Sequence, residues 1–187
     1  MRKLIAGLAL TTAAAAVAAV TTAPAQAAEA AHPRHQHLHA WTLLNYHGPG
    51  PLPNERLTAE VDARTTTGHD ARGHATVLHV FPDKSAVRAE IAVDCLVTGA
   101  DGAVTVTGPV ESLHFTVPAG QEEPKPAPST WHPETGLTFY PADASGAQRV
   151  GWAGADALDY SAPARGAKCR ATAPDSWVIR GGYTLRG

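Results

Sequence analysis

The sequence predicts an all-β fold, a single antiparallel β-barrel or β-sandwich carrying one disulfide. Three observations lead there. Apolar residues recur with period two in several short runs, Gly- and Pro-rich turns separate those runs, and nothing after residue 27 shows a sustained 3.6-residue apolar period with caps. Successive side chains of a strand point to opposite faces, so such alternation marks a sheet with one buried face.

Taken in order, Leu38–Tyr46 is the first candidate strand. In the second, Leu57, Ala59, Val61 and Ala63 share one parity, with Glu60, Asp62 and Arg64 on the other. His74–Phe81 is the third. The clearest signal runs from Val87 to Val97, where Val87, Ala89, Ile91, Val93, Cys95 and Val97 oppose Arg88, Glu90 and Asp94; this parity predicts Cys95 on the inner face. The turn Gly99-Ala100-Asp101-Gly102 then leads into Val104 and Val106 alternating with Thr105 and Thr107, a hairpin signal. Ser112–Val117, Leu137–Tyr140, Gln148–Trp152 and Ser176–Leu185 complete the set. Strands of this length joined by turns favour a sandwich or barrel over a βαβ fold, and periodicity does not choose between the two.

Two stretches break the pattern. His47-Gly48-Pro49-Gly50-Pro51-Leu52-Pro53 reads as a stiff connection, and Pro118 to Pro133 as a long loop whose Pro124, Pro126 and Pro128 keep it extended. The first 27 residues combine a basic start at Arg2 and Lys3, an apolar run from Leu4 to Val20, and an Ala25-Gln26-Ala27 cleavage pattern. They predict a secretory signal peptide, and the apolar run is short and Ala-rich against the roughly 20 strongly apolar residues of a membrane span. The expected organisation is a signal peptide over 1–27, a His-rich arm over 28–40, and a β-rich domain over 41–187 with the Pro-rich loop at 118–133. The expected location is extracellular, with no integral membrane segment.

Charge narrows the partners. The 187 residues carry 15 Lys and Arg against 17 Asp and Glu, and cleavage after Ala27 removes Arg2 and Lys3 and takes the net charge from −2 to −4. A nucleic-acid binder normally shows a basic surplus on one face, so nucleic acid is not expected. In an oxidising compartment the two cysteines, Cys95 and Cys169, are expected to bond to each other, since no CxxC spacing or poised neighbour points to metal or redox chemistry.

No catalytic residues are predicted. The six serines include none in a Gly-x-Ser-x-Gly elbow, and HExxH, Walker and dinucleotide glycine patterns are missing. Glu122 and Glu123 are neighbours in the Pro-rich loop, where water keeps a carboxylate ordinary. Ten histidines raise a metal reading: His35, His37 and His39 project to one face of an extended segment and are candidate ligands for Zn²⁺ or Cu²⁺ through imidazole nitrogen. Otherwise no cofactor is expected. His69, His74 and His79 are spaced by five, so His74 and His79 fall on opposite faces of a strand and read as exposed or hydrogen-bonded side chains. Among the aromatics, Trp152 and Trp177 read as core. Trp131, in the Pro-rich loop, is the expected exposed one and a possible ligand contact.

The run Val87 to Leu96, then Val106-Thr107-Gly108, Arg149-Val150-Gly151-Trp152, Cys169 and Gly181-Gly182-Tyr183 resembles a family of small secreted actinobacterial proteins that carry the label repetin or hypothetical secreted protein. The resemblance spans roughly Leu57 to Leu185 and implies an exported, one-disulfide, β-rich domain; it brings no catalytic residues with it. The functional expectation is a non-enzymatic extracellular binding domain for a small molecule, a cell-envelope component or a protein. Its rivals are an extracellular enzyme on a barrel scaffold and a metal-binding protein acting through the His cluster.

Overall fold

The computed structural model describes residues 35–67 and 70–187. The expected signal peptide, most of the His-rich arm, His32 and His69 lie outside the described residues. Within them the chain is all-β with no helix, and its strands close into an eight-stranded antiparallel barrel.

The strands are β1 (Gln36–Asn45), β2 (Arg56–Thr65), β3 (Ala71–Val80), β4 (Ala86–Val93), β5 (Cys95–Thr98), β6 (Val104–Thr116), β7 (Glu134–Tyr140), β8 (Arg149–Ala153) and β9 (Ser176–Arg186). Strands adjacent in sequence pair with each other except β4 and β5, which both pair with the long β6 and so together make one stave, and β9 returns to β1. Closure leaves no sheet edge to be covered, which a sandwich of the same strands would have. The narrowest seam is β8 to β9, with two paired positions, Arg149 with Trp177 and Val150 with Ser176. β1 takes its first five residues, Gln36 to Ala40, from the segment expected to be the arm.

The interior keeps the parity of the sequence. Leu38, Ala40 and Leu44 of β1, Leu57, Ala59, Val61 and Ala63 of β2, Ala71, Ala75 and Val77 of β3, Ile91 and Val93 of β4, Val104 and Val106 of β6, Leu137 and Phe139 of β7 and Val150 of β8 belong to one apolar cluster. Small residues at many of these positions let the staves close tightly, while Phe139 fills the interior and lies against Tyr183, ring centroids 5.4 Å apart.

Two strands differ from the boundaries expected of the sequence. The run Val87–Val97 is not a single strand: pairing to β6 passes from Ile91 with Val110 to Cys95 with Thr107, which leaves Asp94 as an extra residue. Such a bulge re-aims the side chains beyond it. Leu96 therefore packs into the interior cluster, and Cys95, expected on the inner face, turns to the outer side although it is fully buried. The second difference is that Val104–Val106 and Ser112–Val117, expected as separate strands, are one 13-residue β6. Gly108-Pro109 reads locally as a break. It is tolerated here because the Gly108 position leaves room for the Ala92 carbonyl: a Cβ on Gly108 would stand 1.8 Å from that oxygen.

What buries Cys95 is the connection from β8 to β9, residues 154–175, which crosses the outer face of β6, β7 and β8. The Cys95–Cys169 disulfide ties it down, with Cα atoms 5.5 Å apart. Backbone N–H groups of Cys169 and Thr172 donate to the hydroxyls of Thr107 and Thr138, each at 3.0 Å, and the Tyr140 hydroxyl donates to the Thr172 carbonyl at 2.7 Å. Gly151 is bare for the same reason: a Cβ there would lie 2.2 Å from the Thr172 oxygen.

Candidate functional site

The barrel is filled along most of its length and hollow at one mouth. There the start of β2, the end of β3, the starts of β4 and β7 and the ends of β6 and β8 surround a cavity of about 190 Å³. Its wall is aliphatic (Leu57, Val77, Val87, Ala89, Val110, Leu113) and indole (Trp131, Trp152), with Ala155 and Ala157 from the strap and two polar side chains, Thr135 and His79. Thr135 spends its hydroxyl hydrogen on the Ala153 carbonyl. His79 is thus the titratable group of the wall.

Two loops cover this mouth, and they hold each other. Trp131, from the Pro-rich loop between β6 and β7, meets Tyr160 of the strap edge-on at 5.1 Å, and the Tyr160 hydroxyl donates to the Lys125 carbonyl at 2.7 Å. His132 anchors the same loop through a ring nitrogen 2.8 Å from the Val110 carbonyl. Trp131 is accordingly half-buried rather than an open platform, and Trp152 lines the cavity as well as packing on the core.

Behind His79 stands a short polar chain. Its Nε2 lies 3.4 Å from Glu55 Oε2, and the same oxygen accepts the Tyr46 hydroxyl at 2.8 Å. The imidazole is fixed on its other side by Phe81, centroids 4.0 Å apart, and by the edge of Tyr46. The hydrogen bond from Tyr46, and then that from His79, hold the Glu55 carboxyl below its ordinary 4.5, while partial burial and the Glu55 hydrogen bond raise the Tyr46 phenol. Glu55 therefore stays an anion next to the imidazole.

The same direction of shift occurs in three turns. Asp83, Asp143 and Asp159 each accept the hydroxyl of the serine two residues on, and each is held below the ordinary 3.8. A carboxyl that releases its proton more readily folded than unfolded adds stability above the unfolded value and loses that contribution as the pH falls through the lower folded value. Melting temperature is therefore expected to fall on acidification between about pH 5 and pH 3. Asp143→Asn should flatten that acid limb in a circular-dichroism melt series; a limb of unchanged steepness would exclude Asp143 as a contributor.

The predicted metal ligands lie elsewhere. His37 and His39 are on the outer face of β1 and share Asp62 across the strand pair, His37 Nε2 at 3.2 Å and His39 Nδ1 at 3.8 Å, and His35 precedes the strand. Among the described residues no three His, Cys, Asp or Glu side chains are grouped to hold a metal ion. A wide, open depression of about 940 Å³ lies nearby, around the β2–β3 turn, and charged residues such as Arg64, Arg72, Arg186 and Asp70 contribute to its wall. It lacks the enclosure that distinguishes the smaller cavity. His74 lines the depression and His79 the cavity, on opposite faces of β3 as the spacing required. Sequence reasoning does not bring Tyr46, Glu55 and His79 together as a set. The available signal is His79 on the parity of Ala71, Ala75 and Val77, a titratable ring among inward residues. No helix among the described residues is long and apolar enough to cross a membrane. Compared with protein-family models, curated proteins and solved structures, the chain matches none.

Proposed function

We propose that this chain is an exported, non-enzymatic binding barrel whose ligand is one small, largely apolar molecule held in the cavity at the barrel mouth. The observation that carries the reading is the covered, apolar-lined space of about 190 Å³ between two latched loops. Binding sites combine apolar walls with few polar groups that orient the ligand, and this wall has that composition. The volume is below that of drug-sized sites and close to the roughly 150 Å³ apolar cavity known to hold benzene, so the ligand has about one ring. The predicted signal peptide and the disulfide support an extracellular setting.

A ligand that binds only the folded state raises the melting temperature with concentration. Toluene is expected to raise it in the wild type and to leave an Ala157→Phe variant unmoved, because the new ring enters the cavity from the strap without disturbing a stave. No ligand-dependent shift in the wild type, or an equal shift in the filled variant, would sink the reading.

A further inference from the structure

We infer that the molecule held in this cavity is a small aromatic compound with one acidic hydroxyl, and that His79 accepts its proton. The inference rests on the binding reading above and adds the ligand's chemistry.

The wall is poor in polar groups. The Thr135 hydrogen is already committed to Ala153 and the two indoles can only donate, so the imidazole is the basic acceptor of the wall. Its Nε2 faces an anionic carboxylate, which can only accept, so Nε2 carries the ring hydrogen and Nδ1 keeps a lone pair. Nδ1 makes no hydrogen bond to the described residues. A ligand matched to this wall therefore brings a donor to that point rather than an acceptor.

The surroundings decide what happens to the donated hydrogen. Glu55 has no Lys or Arg partner among the described residues, and its hydrogen bonds come from Tyr46 and His79. Of the groups facing the ring, Leu57 of β2 and Val87 of β4 are apolar, and His47 lies behind Tyr46 at 4.2 Å between ring centroids. An imidazolium at His79 would thus be balanced by the adjacent Glu55 carboxylate, the division of labour of a carboxylate-backed histidine base. The step balances simply: the O–H bond of the ligand breaks, the proton forms an N–H bond at Nδ1, and the ligand oxygen keeps the electron pair as an oxyanion paired with the imidazolium. An aliphatic alcohol or an unsubstituted phenol is too weak an acid for this exchange, whereas a phenol acidified by an electron-withdrawing ring substituent is matched to an imidazole. A carboxylic acid has already lost its proton in neutral water and would reach Nδ1 as an acceptor, without the hydrogen this position calls for. The cavity volume limits the ligand to about one ring, and the two indoles supply aromatic edges and faces.

The test uses the protein as expressed with 4-nitrophenol, whose phenolate absorbs at longer wavelength than the phenol, and toluene as a ring without a hydroxyl. Affinity is read by calorimetry and ionisation by absorbance across a pH series. Bound 4-nitrophenol is expected to ionise about one pH unit below the free probe, a tenfold shift in the proton equilibrium. His79→Gln should still take toluene, while it abolishes the ionisation shift and weakens 4-nitrophenol about tenfold relative to toluene. Glu55→Gln should retain toluene binding and diminish the shift. If toluene binds and the bound nitrophenol ionises as it does in free solution, or shifts equally in His79→Gln, the inference about His79 is wrong while the cavity reading stands. If neither probe binds the wild type, the cavity reading fails and this inference with it.

Discussion

Replacing Cys95 and Cys169 together by serine is expected to cost about 4 kcal/mol, the denatured-state freedom released by opening a cross-link between positions 74 apart. At about 2–4 °C per kcal/mol for a domain of this size, the melting temperature should drop by about 10 °C. The site of the damage is also specified. Cys95 is fully buried beneath residues 154–175, and the strap's other ties include hydrogen bonds with Thr107, Thr138 and Tyr140 and the Lys168–Asp94 ion pair at 2.7 Å. Amide exchange should therefore accelerate first across the strap, before the staves. A melting temperature within about 2 °C of wild type would mean that the hydrogen-bonded ties secure the strap without the cross-link.

Phe139→Ala is expected to destabilise by about 3–5 kcal/mol. The ring has no exposed surface and packs in the barrel interior against Tyr183, and paired staves on either side leave its backbone little room to collapse into the space. Phe139→Leu, which keeps most of the volume, should recover more than half of the loss in a urea titration. Neither substitution touches the cavity wall, so toluene affinity in the folded variants should be that of the wild type; a loss of binding would show that the core and the mouth are coupled. Equal destabilisation by Leu and Ala would mean that the aromatic contact with Tyr183, not filled volume, is what the site requires.

How far the sequence carries depends on the range of the interaction concerned. The alternation in Leu57–Ala63 and Val87–Val93 is a local property of a half-buried strand, and β2 and β4 form where it says. The strand from Val104 reads as two because Gly108-Pro109 signals a break to any local rule, while its actual tolerance depends on the Ala92 carbonyl of another stave. Parity places Cys95 inward because nothing in Asp94-Cys95-Leu96 announces a bulge; the extra residue exists to satisfy pairing with β6. The candidate site is less legible still. Tyr46, Glu55 and His79 come from the end of β1, the approach to β2 and the end of β3, and a single oxygen of Glu55 joins them. Trp131, read as an exposed loop residue, meets Tyr160 from a connection that no periodicity marks.

By itself, then, the sequence determined an all-β chain with one disulfide and the inward set of most staves, because side-chain alternation and turn chemistry act between near neighbours. Barrel closure, the outward turn of Cys95 under its strap and the assembly of a covered cavity around His79 were decided by tertiary structure alone. They depend on how β9 meets β1, how β4 and β5 share β6 and how two long loops cross the finished sheet, and those contacts join positions far apart in the chain.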